Sequence, residues 1–178
     1  FLQQDKTLSS MSIKDRLELY GIKPRKGLGQ HFLINQGSLQ KIVEAAELSS
    51  NDLVIEVGAG LGILTTELVK KAGEVLAVEI DEKLAFILKQ LFASASNVKI
   101  IRANIMEIPP GELLNQNASK FTSNREFKVV ANIPYYITSP IIRHFLEAQL
   151  KPRLMVLMVQ KEVGQQIISS PGKTNLLN

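Results

Sequence analysis

The chain has 178 residues, of which 45% are hydrophobic and 21% charged, with 21 basic against 17 acidic side chains. This is the profile of a soluble globular domain, large enough to bury a core without disulfide or metal staples, and it argues against disorder, fibrous repeats and a membrane span. There is no cysteine, which excludes thiol catalysis, iron–sulfur chemistry and Cys-zinc sites; imidazole comes only from His31 and His144, which argues against a His-rich metal site, while the net charge of +4 leans mildly toward a polyanionic partner.

The chain opens on Phe1, and Met11 reads as a natural start, with residues 1–10 an extension too short and too polar for a signal peptide. Ser12 before Ile13, Leu17 and Tyr20, with Asp15 as a weak capping partner, predicts a short helix stopped by Gly21. Residues 1–22 are assigned to this extension and helix, and residues 23–178 to one α/β domain. Lys23 to Asn35 reads as a basic loop, and Leu39, Ile42, Val43 and Ala46 mark an amphipathic helix. At the other end the segment after the turn at Ser169 to Lys173 begins an element and stops, which reads as a shortened chain.

Leu53-Val54-Ile55-Glu56-Val57 is a short apolar run suited to a buried parallel strand. Gly58-Ala59-Gly60-Leu61-Gly62 turns it into a helix from Ile63 to Lys71. A strand from Val75 to Ile80, a helix from Lys83 to Phe92 and a strand from Val98 to Arg102 follow. Pro109 to Arg125 reads as a polar loop with one helical turn, ahead of a strand from Phe127 to Ala131. Ser139-Pro140 reads as the N-cap and first residue of a helix reaching about Gln149. A strand from Leu154 to Val159 and a helix from Lys161 to Ile168 complete the pattern. The alternation predicts a Rossmann-like α/β fold, a mainly parallel sheet with helices on both faces and a ligand site at the carboxyl ends of its strands.

The glycine turn allows a close approach of backbone to ligand. Glu79 closes the second strand about twenty residues later, where a carboxylate can accept hydrogen bonds from both hydroxyls of an adenosine ribose. A dinucleotide wants G-x-G-x-x-G. Here the third glycine comes one position early, Ile63 stands where glycine or alanine is wanted, and Glu56 would repel a pyrophosphate. A carboxylate at Glu56 suits a cation, such as the amino-acid end and sulfonium of S-adenosylmethionine, which the turn therefore favours. A turn that serves only strand–helix packing stays open.

Ala131-Asn132-Ile133-Pro134-Tyr135-Tyr136 falls at the same sheet edge. Asn and Pro both favour turns, but the residue types also suit one chemistry. The exocyclic amino group of adenine is a weak nucleophile because its lone pair is delocalised into the ring. The Asn132 side-chain oxygen and a backbone carbonyl in residues 132–134 can accept its two N–H bonds and draw the nitrogen toward a tetrahedral form. Pro134 would keep those acceptors fixed. Tyr135 offers a ring for the base to stack on, worth ~1–3 kcal/mol for an unpaired base. A methyl already carried on a sulfonium then needs positioning rather than a metal or a strong base.

In these segments the chain resembles the ribosomal RNA adenine dimethyltransferase family, and in particular its KsgA-type small-subunit branch. The matching stretches are Lys26 to Leu33, Glu56 to Gly62, Val78 to Asp81, Asn132 to Thr138 and Val159 to Val163, in family order over residues 23–170. Erm-type enzymes, which methylate large-subunit rRNA, usually lack the last. The resemblance implies an S-adenosylmethionine-dependent enzyme that dimethylates N6 of two adjacent adenines in a hairpin loop of small-subunit rRNA. It implies cofactor contacts from His31 and Leu33, from Gly58 to the methionine part, and from Glu79 to the ribose. Asn104 and Ile105 would lie by the adenine and Asn132 near the methyl group, with Glu56 and Gly60 as further cofactor residues of the turn. Asn132, Pro134 and Tyr135 would form the target-adenine site.

Three features depart from the family. It usually carries Asp where this chain has Asn104, whose oxygen can still accept the adenine amino group without charge. Some relatives offer an aromatic near residues 157–159, where Leu157, Met158 and Val159 cannot sandwich a base, which turns attention to Tyr136. The family's C-terminal helical domain, after about residue 180, is not in this chain.

Lys23, Arg25 and Lys26 read either as phosphate contacts or as a solvated loop, and the resemblance favours RNA. Tyr136 and Lys161 are assigned to RNA as well, Lys161 having the alternative of an exposed helix start. His31 belongs to the cofactor loop rather than acting as a general base, Phe32 packs that loop, and His144 reads as structural or exposed. The reading is a cytoplasmic, monomeric methyltransferase acting on small-subunit rRNA or the pre-small subunit, with no metal and no membrane partner. Its rivals are an Erm-type enzyme, a non-catalytic RNA-binding or ribosome-assembly factor and, least favoured, a nicotinamide-dependent oxidoreductase.

Overall fold

The computed structural model describes residues 36–119, 126–133 and 135–168, together with Asp15, Glu18 and Gly21; of Tyr135 and Gln166 it describes the backbone alone. Five strands, β1 (Leu53–Val57), β2 (Glu74–Glu79), β3 (Val98–Arg102), β4 (Lys128–Asn132) and β5 (Leu154–Met158), form one sheet in the order β3-β2-β1-β4-β5. Every pairing is parallel. Successive strands step outward from β1 to β3, then the chain crosses back to β4 and β5. The order therefore reverses between β1 and β4, where an open α/β sheet leaves a crevice at its carboxyl edge.

Side-chain alternation along the strands splits the core in two. Val54, Val75 and Val130 pack against one layer, which contains α1 (Gln36–Ala45), α2 (Ile63–Lys71) and α3 (Glu82–Leu91). Ile55, Leu76 and Val129 pack against the other, which contains α4 (Pro110–Asn117) and α5 (Thr138–Leu146). Both faces being covered, β1 and β2 are buried along their whole length, whereas the edge strands β3 and β5 are not. The last described element is α6 (Lys161–Ile168).

Two expectations need correction. Pro109 to Arg125 does not read through as a loop, because Pro110–Asn117 is an eight-residue helix. Gly111, Asn115 and Asn117 are poor helix formers, but Leu113 and Leu114 are fully buried in the second core layer, and that burial decides the outcome. Ser139 is not an N-cap. A 3-10 turn, Tyr135–Ile137, runs directly into α5, whose first residue Thr138 is fully buried; Pro140 is its third residue, still in the first turn where an amide has no helical partner. That helix stops at Leu146, short of Gln149. Other boundaries agree to within a residue or two. Asp15 and Glu18 are helical and Gly21 turns with φ +59°, while the rest of the N-terminal helix and the basic loop lie outside the described residues.

Candidate cofactor and target-base site

Strand register assembles the site. Val57 of β1 pairs with Val78 of β2 and with Ala131 of β4, so Gly58, Glu79 and Asn132 are the next residues along three adjacent strands. All three stand at the carboxyl edge beside the strand-order reversal.

The turn out of β1 needs its glycines. Gly58, Gly60 and Gly62 have φ of +73°, +58° and +76°, in the left-handed region that side chains disfavour. Their surroundings assign different roles to the first and the last. A Cβ on Gly62 would stand 2.9 Å from the side chains of Leu88 and Phe92, so this glycine seats α2 on α3. Among the described residues a Cβ on Gly58 would meet nothing within 4 Å, so this glycine, unlike Gly62, is not explained by packing against them.

Glu79 ties the turn to β2. Its Oε2 accepts from the Gly60 amide at 2.8 Å and its Oε1 from the Asp81 amide at 2.9 Å. A carboxylate has roughly four lone-pair sites, so acceptor capacity remains for ribose hydroxyls. Burial pushes the Glu79 carboxyl up, the Asp81 and Gly60 amides pull it down and the Asp81 charge pushes it up; the net direction is up.

Glu56 is deeper than a direct ligand contact requires. It is 1% exposed, points to the same face of the sheet as Val54, and neither oxygen has a hydrogen-bond partner among the described residues. Burial is the largest cause raising its carboxyl, the neighbouring Thr65 hydroxyl and amide lower it and the Glu79 charge raises it, with a net value of about 8. A carboxyl raised to about 8 favours the neutral acid at neutral pH.

The neighbouring strand ends complete the edge. The Ala103 amide donates to the Glu79 carbonyl at 3.1 Å, which sets Asn104 beside the end of β2. Asn104 caps the 3-10 helix Ile105–Glu107, within which Ile105 is buried. On the β4 side Asn132 is partly buried and Tyr136 is 50% exposed. Lys161, exposed, begins α6 after β5. His144 on α5 has its pKa lowered by burial, opposed by a hydrogen bond to the backbone of Ile108, and its Nε2 is buried without a partner among the described residues.

The described residues thus bring Glu56, Gly58, Gly60, Glu79, Asn104, Ile105 and Asn132 to one edge. His31, Leu33, Phe32, Lys23, Arg25, Lys26, Pro134 and the Tyr135 side chain lie outside them. Sequence reasoning passed over two residues. Ile80, next to Glu79, is 61% exposed, an apolar surface fit for the face of an adenine. Glu107 hydrogen-bonds the Asn104 side chain, a pairing whose only trace in sequence is the Asn-x-x-Glu spacing. Among the described residues no group of three or more His, Asp or Glu side chains could hold a metal ion, and no helix is long and apolar enough to cross a membrane.

A five-stranded parallel sheet with a glycine turn at its switch point is the architecture of Rossmann-like S-adenosylmethionine-dependent methyltransferases, and the chain has that fold. Residues 21–176 match the family model described as ribosomal RNA adenine dimethylase, and the chain belongs to that family.

Among curated relatives, ribosomal RNA small subunit methyltransferase A of Dehalococcoides mccartyi is 51% identical over 164 residues, 92% of this chain and 54% of that protein. The protein of the same name from Halothermothrix orenii is 42% identical over 86% of this chain and 50% of its own length. The chain thus spans about half the length of these relatives. Among solved structures, the 23S rRNA methyltransferase ErmE is 30% identical with a TM-score of 0.63, over 76% of this chain and 50% of that one. A dimethyladenosine transferase from Plasmodium falciparum is also 30% identical, with a TM-score of 0.62 over 79% of this chain and 47% of its own.

Proposed function

We propose that residues 23–178 form the catalytic unit of an enzyme that dimethylates N6 of two adjacent adenines in small-subunit rRNA, using S-adenosylmethionine. The observation that carries this is the register of Asn132 with Gly58. The residue that would hold the target amino group stands on the strand next to the turn that would hold the methyl donor. The small-subunit assignment is supported by the 42–51% identity to relatives of that name against 30% to the large-subunit enzyme.

When bound, the cofactor supplies a methyl group made electrophilic by its sulfonium. Everything else falls to the chain. Gly58 and Gly60 admit the amino-acid end along the turn, Glu79 accepts the ribose hydroxyls, and Ile80, Asn104 and Ile105 receive the adenine, with His31 and Leu33 closing from the N-terminal loop. The Asn132 oxygen and a nearby carbonyl accept the target N–H bonds, so the nitrogen lone pair leaves conjugation with the ring and points at the methyl group. Pro134 stiffens that segment, and Tyr135 stacks on the base. Lys23, Arg25, Lys26, Tyr136 and Lys161 contact the RNA, the cations through phosphates that fix the register of the hairpin. The enzyme works as a cytoplasmic monomer with the pre-small subunit as partner.

The experiment is methyl transfer from labelled S-adenosylmethionine to small ribosomal subunits lacking the modification, with free large-subunit rRNA alongside. Label confined to adjacent small-subunit adenines, and lost in Asn132→Ala with an unchanged melting curve, is the expected result. Label in the large-subunit RNA instead would establish the Erm-type activity. RNA binding without transfer in either substrate would establish the non-catalytic role.

A further inference from the structure

The loop after β3 contains a side-chain pair, Asn104 and Glu107, of which the methyl-transfer reading uses only the first. The Asn104 Nδ2 donates to Glu107 Oε1 at 2.9 Å, and the Asn104 Oδ1 accepts from the Met106 amide at 3.2 Å. The backbone closes around the pair, with the Glu107 amide donating to the Asn104 carbonyl at 3.0 Å. We propose that Glu107 is a positioning residue: it holds the Asn104 amide with its oxygen presented to the cofactor's adenine, so that the site selects a 6-amino group. This rests on the reading of Asn104 as an adenine contact.

The argument is one of donors and acceptors. A half-turn about the Cβ–Cγ–amide axis exchanges the oxygen and nitrogen of an asparagine at almost no change in shape. In the flipped state Nδ2 would face the Met106 N–H, donor to donor, and Oδ1 would face the Glu107 carboxylate, acceptor to acceptor. Both neighbours reject that state, and the carboxylate, whose bond is charge-assisted and shorter, rejects it more strongly. With the flip suppressed, Oδ1 keeps a second lone pair beyond the one used by Met106, and that lone pair can accept only from a donor such as an amino hydrogen. An aspartate at 104 would need no such help, because both its oxygens accept and a neighbouring glutamate would only repel it. Glu107 therefore has a function here that depends on residue 104 being an amide.

The test is calorimetric titration of the chain with S-adenosylhomocysteine and with S-inosylhomocysteine, which carries a carbonyl in place of the 6-amino group. The wild type is expected to prefer the adenosyl compound. Glu107→Ala should cut that preference about 5-fold, the equivalent of one ordinary hydrogen bond, with no change in melting temperature. Glu107→Gln, which still offers an acceptor oxygen, should restore it. In an Asn104→Asp background, Glu107→Ala should cost nothing.

Preference kept in Glu107→Ala but lost in Asn104→Ala would overturn the positioning role and leave the adenine site standing. Preference kept in Asn104→Ala would overturn Asn104 as an adenine contact, and no binding of S-adenosylhomocysteine by the wild type would overturn the cofactor reading; either result takes the proposal with it.

Discussion

Glu79 and Gly60, nineteen residues apart, are joined by a 2.8 Å hydrogen bond from backbone amide to carboxylate. The acidic residue closing β2 is therefore part of the glycine turn as well as a candidate ribose acceptor. Replacing it tests both roles at once. Glu79→Gln is not conservative, since one of its two amide-facing positions becomes an N–H pointing at an N–H. Both Glu79→Gln and Glu79→Ala are expected to destabilise the fold by about 1–3 kcal/mol, the cost of leaving a buried polar group unsatisfied. S-adenosylhomocysteine binding should be lost in both. A urea titration and a calorimetric titration separate the two effects; unchanged stability would mean the turn does not depend on the bond.

Two glycines predict opposite phenotypes. A Cβ at Gly73 would stand 2.2 Å from the Ser50 carbonyl oxygen, a clash with backbone that cannot swing away. Gly73→Ala should therefore cost more than about 2 kcal/mol in stability, the range of overpacking and backbone strain. Gly58→Ala meets no atom of the described residues, so its cost is limited to about 1 kcal/mol of left-handed backbone strain. Its methyl group stands at the turn that would hold the cofactor, whose affinity should fall far more than stability does. Denaturant midpoints together with S-adenosylhomocysteine titration read out both; equal affinity for wild type and Gly58→Ala would move the ligand away from the turn.

Much of this arrangement was legible in the sequence, because its strongest signals are local. Leu53–Val57 is a short, mostly apolar run bounded by turn residues, and the glycines of the turn sit where a strand must become a helix without a side chain in the way. α4 was illegible for the opposite reason. Its helix rests on Leu113 and Leu114 meeting Phe127 and Phe145, contacts made by chain that folds back from elsewhere. Glu107 was hidden because its partner is a side-chain amide whose orientation no spacing rule specifies. Glu56 was read as a ligand-facing charge, since sequence shows the carboxylate but not that the strand alternation turns it into the helix layer.

Lys128 is another residue that only the fold explains. It looks like a polar interruption of the Phe127 to Ala131 strand, yet it is 7% exposed. Its Nζ donates to the carbonyls of Ala46 and Glu47, at 3.0 and 2.7 Å, and pairs with Asp52 at 3.2 Å. It thereby closes the carboxyl end of α1 against the sheet. Burial raises the Asp52 carboxyl, but the Ser49 amide and hydroxyl and the Lys128 ammonium outweigh it, and the net direction is down. Lys128→Met keeps the stem but removes the donor to two carbonyls and the counter-charge of Asp52, which retains only its Ser49 bonds, so a loss of about 3 kcal/mol is expected, the lower end for breaking a buried ion pair. The stability that Asp52 contributes should fade as pH falls below the ordinary carboxylate range, and should fade less in Lys128→Met. Urea titrations of the two proteins at pH 7 and pH 3 provide the comparison.

Glu56 should act on stability in the reverse sense. Its carboxyl is raised from 4.5 to about 8 in the folded chain. Between those two values the folded state holds a proton that the unfolded state has released. Stability therefore falls as pH rises through this window, by up to roughly 1.4 kcal/mol per pH unit at the steepest, and levels off above it. Below the window the group is neutral in both states and contributes no slope. Glu56→Gln, neutral at every pH and of the same shape, should remove this share of the slope and leave that of Glu79, whose carboxyl is also raised, which denaturation of both proteins at pH 6 and pH 8 would reveal. The same group predicts a proton signal on ligand binding. A cation over the turn favours the charged carboxylate, so S-adenosylmethionine should expel a proton near pH 7. Its binding heat will then vary with the ionisation enthalpy of the buffer, and will not vary in Glu56→Gln. A buffer-independent heat in the wild type would place the cation out of electrostatic reach of Glu56, and would leave the buried acid with the single task of supporting the turn.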